Sequence, residues 1–138
     1  MDNVREHRRA SADSEKITIN LGFVDLGHID LLVRDGFYSN RTDFIRTAIR
    51  SQIARHSDEA GKAVRRAELD LGISHFDRSR LEGIEASGDM LDIRVLGLAS
   101  IAEDVSPELA RKTIRSLTVL GALHASAAVK AALADRLA

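Results

Sequence analysis

Polar and apolar residues alternate along residues 16–21, which read KITINL. Ile17, Ile19 and Leu21 are apolar, and the three residues beside them are polar. Strict alternation is typical of a β-strand that buries one face. The next fifty residues carry helical patterns, so no second strand follows nearby. An unpaired strand leaves backbone donors and acceptors unsatisfied, and the sequence therefore raises the question of what this strand pairs with.

Two helical patterns follow the strand. The first is expected to begin at Asp25 as its cap and to end at Gly36, where a glycine suits the left-handed conformation. The second opens with two capping residues, Ser39 and Asn40, and carries Asp43 in its first turn. Its apolar residues recur at helical spacing, and arginines occupy the other side.

The helical pattern then continues to about Leu71, with a break expected near Gly61. A short further helix is predicted next, with Ser74 as its cap and Gly88 as its end. On this interpretation, residues 57–88 connect an N-terminal domain to a C-terminal one through helices.

The C-terminal third contains an internal repeat. Residues 92–105 and 116–129 both contain Val-Leu-Gly, at 95–97 and 119–121. A short helix with Pro107 at its first position is expected between them. The repeat predicts two strand–turn–strand units that stack as rungs and complete each other's core.

A competing interpretation makes residues 120–137 a single Ala-rich helix, which Ala and Leu favour and Gly121 disfavours. A helix over about 126–137 is expected in either case. Two rungs are too few to be stable alone, so they would stack on the same region of another chain.

The order of strand, helix and helix resembles the ribbon-helix-helix family of DNA-binding proteins, of the CopG, Arc and MetJ type. KITINL carries part of the resemblance, and GFYSNRTDFIRTAIR, residues 36–50, carries the more specific part. In that family a Gly-aromatic turn leads to a Ser or Asn, an Arg, a Ser or Thr, an acid and an amphipathic helix. The match covers about residues 15–56. Gly22 and Gly27, around the first helix, depart from the family pattern.

The resemblance implies a homodimer in which residues 16–21 of two chains pair antiparallel about a two-fold axis. The apolar side of this ribbon would face a core of four helices, two from each chain. The expected fold class is therefore α+β: a dimeric ribbon-helix-helix domain over 16–56, followed by a small α/β domain over 89–138 with a two-unit strand repeat.

The same resemblance assigns a role to the polar side of the strand. A two-stranded ribbon fits the major groove of DNA, where Lys16, Thr18 and Asn20 would contact bases. Lys pairs with guanine, Asn with adenine, and Thr offers a methyl group to thymine. The alternative is that these three residues form a solvated strand face.

The turn before the second helix has a further predicted role. Ser39, Asn40 and Arg41 lie where a helix N-terminus presents unpaired amides and a partial positive charge, which suits a phosphate oxygen. Such contacts set register and carry no sequence information. Ordinary helix capping is the alternative, and the two roles are compatible.

Residues 1–15 lack the apolar stretch of a secretory signal. They are expected to form a flexible, partly basic arm. Arg5, Arg8 and Arg9 are candidates for contacts with the DNA backbone or minor groove, and a solvated tail is the alternative. The chain has no cysteine and no apolar run near 18 residues, which predicts a cytoplasmic protein without a membrane span, and the resemblance to DNA-binding proteins implies that it is nucleoid-associated. Its net charge of −1 means that DNA binding needs locally concentrated basic residues.

Signals for catalysis or for a metal are absent from the sequence. No two of the five histidines have metal-ligand spacing on a helix, and there is no cysteine to complete a site. There is also no phosphate-binding loop and no GxSxG. The sequence therefore predicts neither an enzyme nor a cofactor.

Two functional classes remain open at this stage. The first is a sequence-specific transcriptional regulator, expected to be a repressor, whose C-terminal domain joins dimers into tetramers or larger assemblies or senses a signal. The second is an interaction protein, either the antitoxin of a toxin–antitoxin pair or a DNA-organising assembly protein. The C-terminal region looks folded, whereas antitoxin tails are usually disordered when free, which favours the first class.

Overall fold

The structure is a computed structural model of the 138-residue chain, and it describes residues 14–138. The expected arm contacts of Arg5, Arg8 and Arg9 lie outside the described residues. The chain divides into two compact units: the first ends at Glu59, and the second covers Ala60–Ala138. The described residues form six α-helices and one three-stranded sheet, a mixed α/β composition.

Two helices shape the first unit: α1 covers Phe23–Arg34 and α2 covers Arg41–Arg55. The N-cap of α1 is Gly22, which makes no side-chain capping bond, so the expectation that Asp25 caps the helix was wrong. Asp25 lies instead in the first turn, where a negative charge complements the helix dipole.

The end of α1 agrees with the sequence. Gly36 has φ 83°, in the left-handed region. The amide of Gly36 donates to the carbonyl of Val33 and that of Phe37 to Leu32, the two bonds of a Schellman motif. This turn reverses the chain into α2.

Helix α3 covers Ser57–Ala67 and begins directly after a turn at His56. The predicted helix to Leu71 with a break at Gly61 was wrong at both points. The break comes earlier, and the helix ends before Glu68, a non-glycine residue with φ 53°. A left-handed residue cannot continue a right-handed helix, so the chain leaves in a new direction.

The second unit is built on a parallel sheet with the order β1-β2-β3. Its strands are β1 over Asp70–Phe76, β2 over Leu91–Ile101 and β3 over Ile114–His124. Helix α4, Arg78–Ser87, connects β1 to β2, and α5, Pro107–Thr113, connects β2 to β3. The chain closes with α6, Ala127–Ala132, and a 3-10 turn over Ala134–Arg136.

Strand β1 is the main departure from the sequence prediction. Ser74 was expected to cap a helix, yet it lies in β1, and Asp77 caps α4 by accepting a hydrogen bond from the amide of Arg80. The left-handed glycine that ends this helix, Gly88, was predicted correctly. Backbone pairing of β1 with β2 satisfies a full row of donors and acceptors, which a single capping bond at Ser74 could not match.

The two Val-Leu-Gly segments lie side by side in the sheet, but the predicted strand–turn–strand units were wrong, and a third strand with Leu-Gly joins them. Leu71-Gly72 aligns in register with Leu96-Gly97, which aligns with Leu120-Gly121. Each repeat is one continuous strand that passes through its glycine, not a strand–turn–strand unit. The alternative of a single Ala-rich helix over 120–137 was wrong, because β3 runs to His124 and α6 begins only at Ala127.

The core of the second unit lies between the sheet and its connecting helices. Inward residues of β2 and β3, such as Val95 and Leu117, pack with Leu81 of α4, Ala110 of α5 and Val129 of α6. The opposite face of the sheet carries apolar side chains that stay exposed or half-buried. Parallel sheets are usually covered on both faces, so this outer face is unusual for a finished domain.

Candidate nucleic-acid interface

The predicted ribbon segment has no regular secondary structure in the single chain. Residues 14–22 form neither helix nor strand. Lys16, Thr18 and Asn20 are all exposed, as base-reading residues need to be. The structure of one chain therefore leaves both the strand and its proposed contacts with bases as predictions.

The apolar residues of this segment border the helices of the same unit. Ile19 and Leu21 line an open groove of about 380 Å³ together with α1 and α2, from which Ile29, Phe44 and Ile45 contribute. The alternation of KITINL thus places its apolar side toward the helices. The groove is apolar and open to solvent, which is the form expected of half a core.

Most apolar residues of the first unit remain in contact with solvent. Helix α1 buries only Ile29, and α2 buries none of its residues. Ile17 is 76% exposed and Ile53 is 63% exposed. Two helices with one buried side chain cannot supply the apolar burial that offsets the entropy of ordering them.

The turn before α2 is a well-formed helix start. The side-chain oxygen of Asn40 accepts from the amide of Asp43 at 2.8 Å, and the amide of Ser39 donates to the Asp43 carboxylate at 3.0 Å. The Asp43 carboxylate thus reaches the residue before the N-cap, one position further back than the N-cap amide that it would accept from in a capping box. Tyr38 packs edge-on against Phe44 with ring centroids 5.0 Å apart, which fixes the entry into the helix. Asn40 therefore caps α2 with its side chain, whereas Ser39 contributes only its backbone amide, and contact of either residue with phosphate remains a prediction.

Arg41 has a partner that the sequence did not reveal. Its guanidinium forms a two-pronged pair with the carboxylate of Asp30, with Nε to Oδ1 at 2.7 Å and Nη2 to Oδ2 at 2.8 Å. The hydrogen bond from Arg41, and then its charge, lower the pKa of Asp30. The pair joins α1 to α2. In the free protein Arg41 thus positions α1 against α2, and its contact with phosphate remains a prediction.

The arginines further along α2 are better placed to meet an external anion. Arg46 and Arg50 are exposed and form no ion pair with another described residue. Their spacing of four residues puts them on one side of the helix. Sequence reasoning had placed them opposite the apolar face without giving them a role.

Other classes of site are not formed by the described residues. Within residues 14–138, no group of three or more His, Asp or Glu side chains is arranged to hold a metal ion. None of the described helices combines the length and the apolar character that crossing a membrane requires.

Comparison with known proteins gives one result. The model of a family described as the Ribbon-Helix-Helix transcriptional regulator family matches residues 12–130. The match extends well beyond residues 15–56, where the sequence resemblance lies, and takes in all three strands of the second unit. The curated proteins and the solved structures give no match.

Proposed function

The chain belongs to the ribbon-helix-helix transcriptional regulator family, and from this premise we propose that it is a dimeric repressor that reads its operator with a β-ribbon. The observation that carries the proposal is the exposed apolar side of residues 16–21 next to two helices that lack a core. A protein that occupies the major groove excludes others from the same site, so repression requires no further activity.

Dimerisation supplies what the first unit lacks. Pairing residues 16–21 of two chains gives each backbone a partner and brings the apolar sides of both segments onto the four helices. Covering Ile17, Ile19, Ile49 and Ile53 in both chains would contribute on the order of 10 kcal/mol, since a fully buried Ile is worth about 1.5–3 kcal/mol. This can offset a cost of association of about 4–15 kcal/mol, and because the two helices of one chain bury a single residue, the dimer is expected to be obligate.

On the proposed ribbon, Lys16, Thr18 and Asn20 face outward and read bases. Each good pairing with a base edge is worth about 1–3 kcal/mol of discrimination against a wrong base. Ser39 and Asn40 at the start of α2 hold the protein on the phosphate backbone, because a helix N-terminus attracts anions. Arg41 joins them when a phosphate oxygen shares or replaces Asp30 as its partner.

The second unit is proposed to join dimers into larger assemblies. Its outer sheet face presents Leu71 and Ile73, each 70% exposed, and Leu120, 54% exposed. These side chains stand in neighbouring rows of the sheet, with Leu96 and Leu98 between them in β2. A second copy of the same face would cover these apolar rows, which are bordered at one end by Arg94, itself paired with Glu68. Its well-packed core also favours a regulator over an antitoxin, whose tail would be disordered when free.

The dimer is tested with one substitution on each side of the strand. Ile19→Lys should abolish the dimer, because it would place two charges near the two-fold axis at a cost of several kcal/mol. Thr18→Lys is the matched control and should keep the dimer, since its side chain faces outward. Sedimentation at micromolar concentration measures both. A folded, monomeric wild-type protein would contradict the ribbon.

The assembly role is tested with the full chain. Leu71→Asp with Leu120→Asp should leave a dimer that binds one operator half-site normally but loses cooperativity on two half-sites, where linkage gains about 10²–10⁴ in avidity. Truncation at Gly88 is unsuitable, because it would remove β2 and β3 and leave β1 without its sheet. Equal cooperativity in the wild type and the variant would refute the role.

A further inference from the structure

The carboxyl ends of the three parallel strands carry a row of polar side chains. His75 of β1 aligns with Ser100 of β2, which aligns with His124 of β3. With strands about 4.8 Å apart, the two histidine backbones are about 10 Å apart, with the serine between them. The neighbouring row, Phe76 and Ile101, is buried in the core, so the polar row points to the other face.

These side chains border a concavity of about 500 Å³. It is also lined by Ile101, Ala102 and Ala125, from the end of β2 and the loops that follow β2 and β3. Lys130 of α6 and Glu103 complete the rim. The volume lies within the range of small-molecule sites, and ligands of open parallel sheets bind outside the carboxyl ends of the strands.

The polar side chains of the rim are not used as helix caps or in ion pairs among the described residues. Asp77, Ser106 and Ser126, which follow the same three strands, are all used as helix caps. By contrast, the side chains of His75, Ser100, His124 and Lys130 form no hydrogen bond or ion pair with another residue of 14–138, although the backbone carbonyl of His75 accepts from Arg80. Four polar side chains that line one concavity and have no side-chain partner among the described residues are therefore available to a ligand.

The chemistry of the rim favours an anion. Each imidazole offers an N–H donor in either protonation state, Ser100 offers a hydroxyl, and Lys130 offers three N–H donors and a positive charge. Glu103 is the only acid among the lining residues. A metal ion is disfavoured, because no group of three ligating side chains is formed among the described residues.

We propose that this concavity binds a small anionic effector through a phosphate or carboxylate group held by His75, Ser100, His124 and Lys130. The site lies in the second unit and does not depend on the proposed DNA contacts. The polar row lies on the same sheet face as the apolar rows that are proposed for assembly, at their carboxyl end.

The probes are inorganic phosphate and acetate, added separately to the full-length protein at constant ionic strength with chloride as the reference. Amide shifts in two-dimensional NMR should change saturably at Ser100, His124 and Lys130 with one or both anions. The anion that saturates at lower concentration identifies the group. Ser100→Ala and Lys130→Gln should each weaken binding about tenfold, as expected for loss of a hydrogen bond to a charged group.

His56→Gln is the matched control, because His56 lies in the first unit and pairs with Glu59. It should bind like the wild type. Shifts that grow linearly without saturation, or equal affinities in all three variants, would overturn the site. A change in association state in Ser100→Ala or Lys130→Gln, with no anion binding in the wild type, would also overturn it and make the row the rim of the assembly face.

Discussion

The three aligned glycines of the sheet permit a sharp test of the second unit. Gly72, Gly97 and Gly121 have φ values of 108°, 138° and 123°, in a region that side chains disfavour. A Cβ at Gly97 would overlap the carbonyl oxygen of Gly72, and a Cβ at Gly121 would overlap that of Gly97. Gly72 has nothing within 4 Å of its added Cβ, because no strand lies beyond β1 in the described sheet.

This geometry predicts a graded series. At Gly72, an alanine suffers backbone strain alone, about 1–3 kcal/mol. At Gly97, the same strain is joined by a collision with backbone, and overpacking typically adds about 1–3 kcal/mol. Gly97→Ala should therefore cost about 2–6 kcal/mol, a large part of the roughly 5–15 kcal/mol that stabilises a domain. Gly83→Ala, inside α4 with open space around it, is the control and should gain about 0.5–1 kcal/mol.

Urea denaturation followed by circular dichroism compares the variants, since the chain has no tryptophan for fluorescence. Hydrogen exchange in peptides from β2 and β3 shows whether the loss falls on the sheet. Equal costs at Gly72 and Gly97 would refute the close-approach argument. Negligible cost at both positions would refute the backbone geometry itself.

Further predictions concern the interface, the sheet and the dimer. Asn20→Ala should remove about 1–3 kcal/mol of discrimination between bases at one operator position. Selection of binding sites from random DNA measures this change in base preference. If Arg41 contacts phosphate, Arg41→Ala should lower by about 1 the slope of log binding constant against log salt concentration, and Asp30→Asn should leave DNA affinity unchanged. If both variants weaken DNA binding equally and the slope stays the same, Arg41 has only a structural role. Hydrogen bonds from Ser116 and then Arg115 lower the pKa of Asp92 below 3.8, so its contribution is present above that pH and is lost as pH falls through the lowered pKa. Asp92→Asn should therefore lower the melting temperature at neutral pH, and the difference should shrink below pH 3.8. If the first unit depends on the proposed dimer, dilution of the protein should reduce the hydrogen-exchange protection of backbone amides in α1 and α2. The amides of β3 should stay protected, because the core of the second unit lies within one chain.

Local chemistry made parts of the fold readable from sequence. The capping of α2 by Asn40, the left-handed glycines at Gly36 and Gly88, and the Ser106-Pro107 start of α5 each depend on neighbouring residues only. A cap or a C-terminal glycine acts within one turn of helix, so the sequence contains the whole interaction. These positions fixed the direction of the chain in both units.

Strand β1 could not be read in the same way. Its residues alternate poorly in burial, and its partner strand begins about twenty residues further along the chain. Only Leu71-Gly72 repeats the pattern of the later strands, and two letters are too few to predict a rung. The Asp30 partner of Arg41 was missed for a related reason: it is eleven residues away, on another helix, and only the turn between the helices brings it near.

The two units differ in how much of a hydrophobic core each forms within a single chain. The second unit closes its own core with helices on one sheet face, so it has the means to fold within a single chain. The first unit buries one residue over two helices and leaves an open apolar groove. In the proposed dimer, the partner chain would supply much of its stability, which would tie the ordering of residues 16–21 to dimer formation. On this argument the ribbon exists only in the dimer, so the surface proposed to read DNA is assembled by the same step that completes the core.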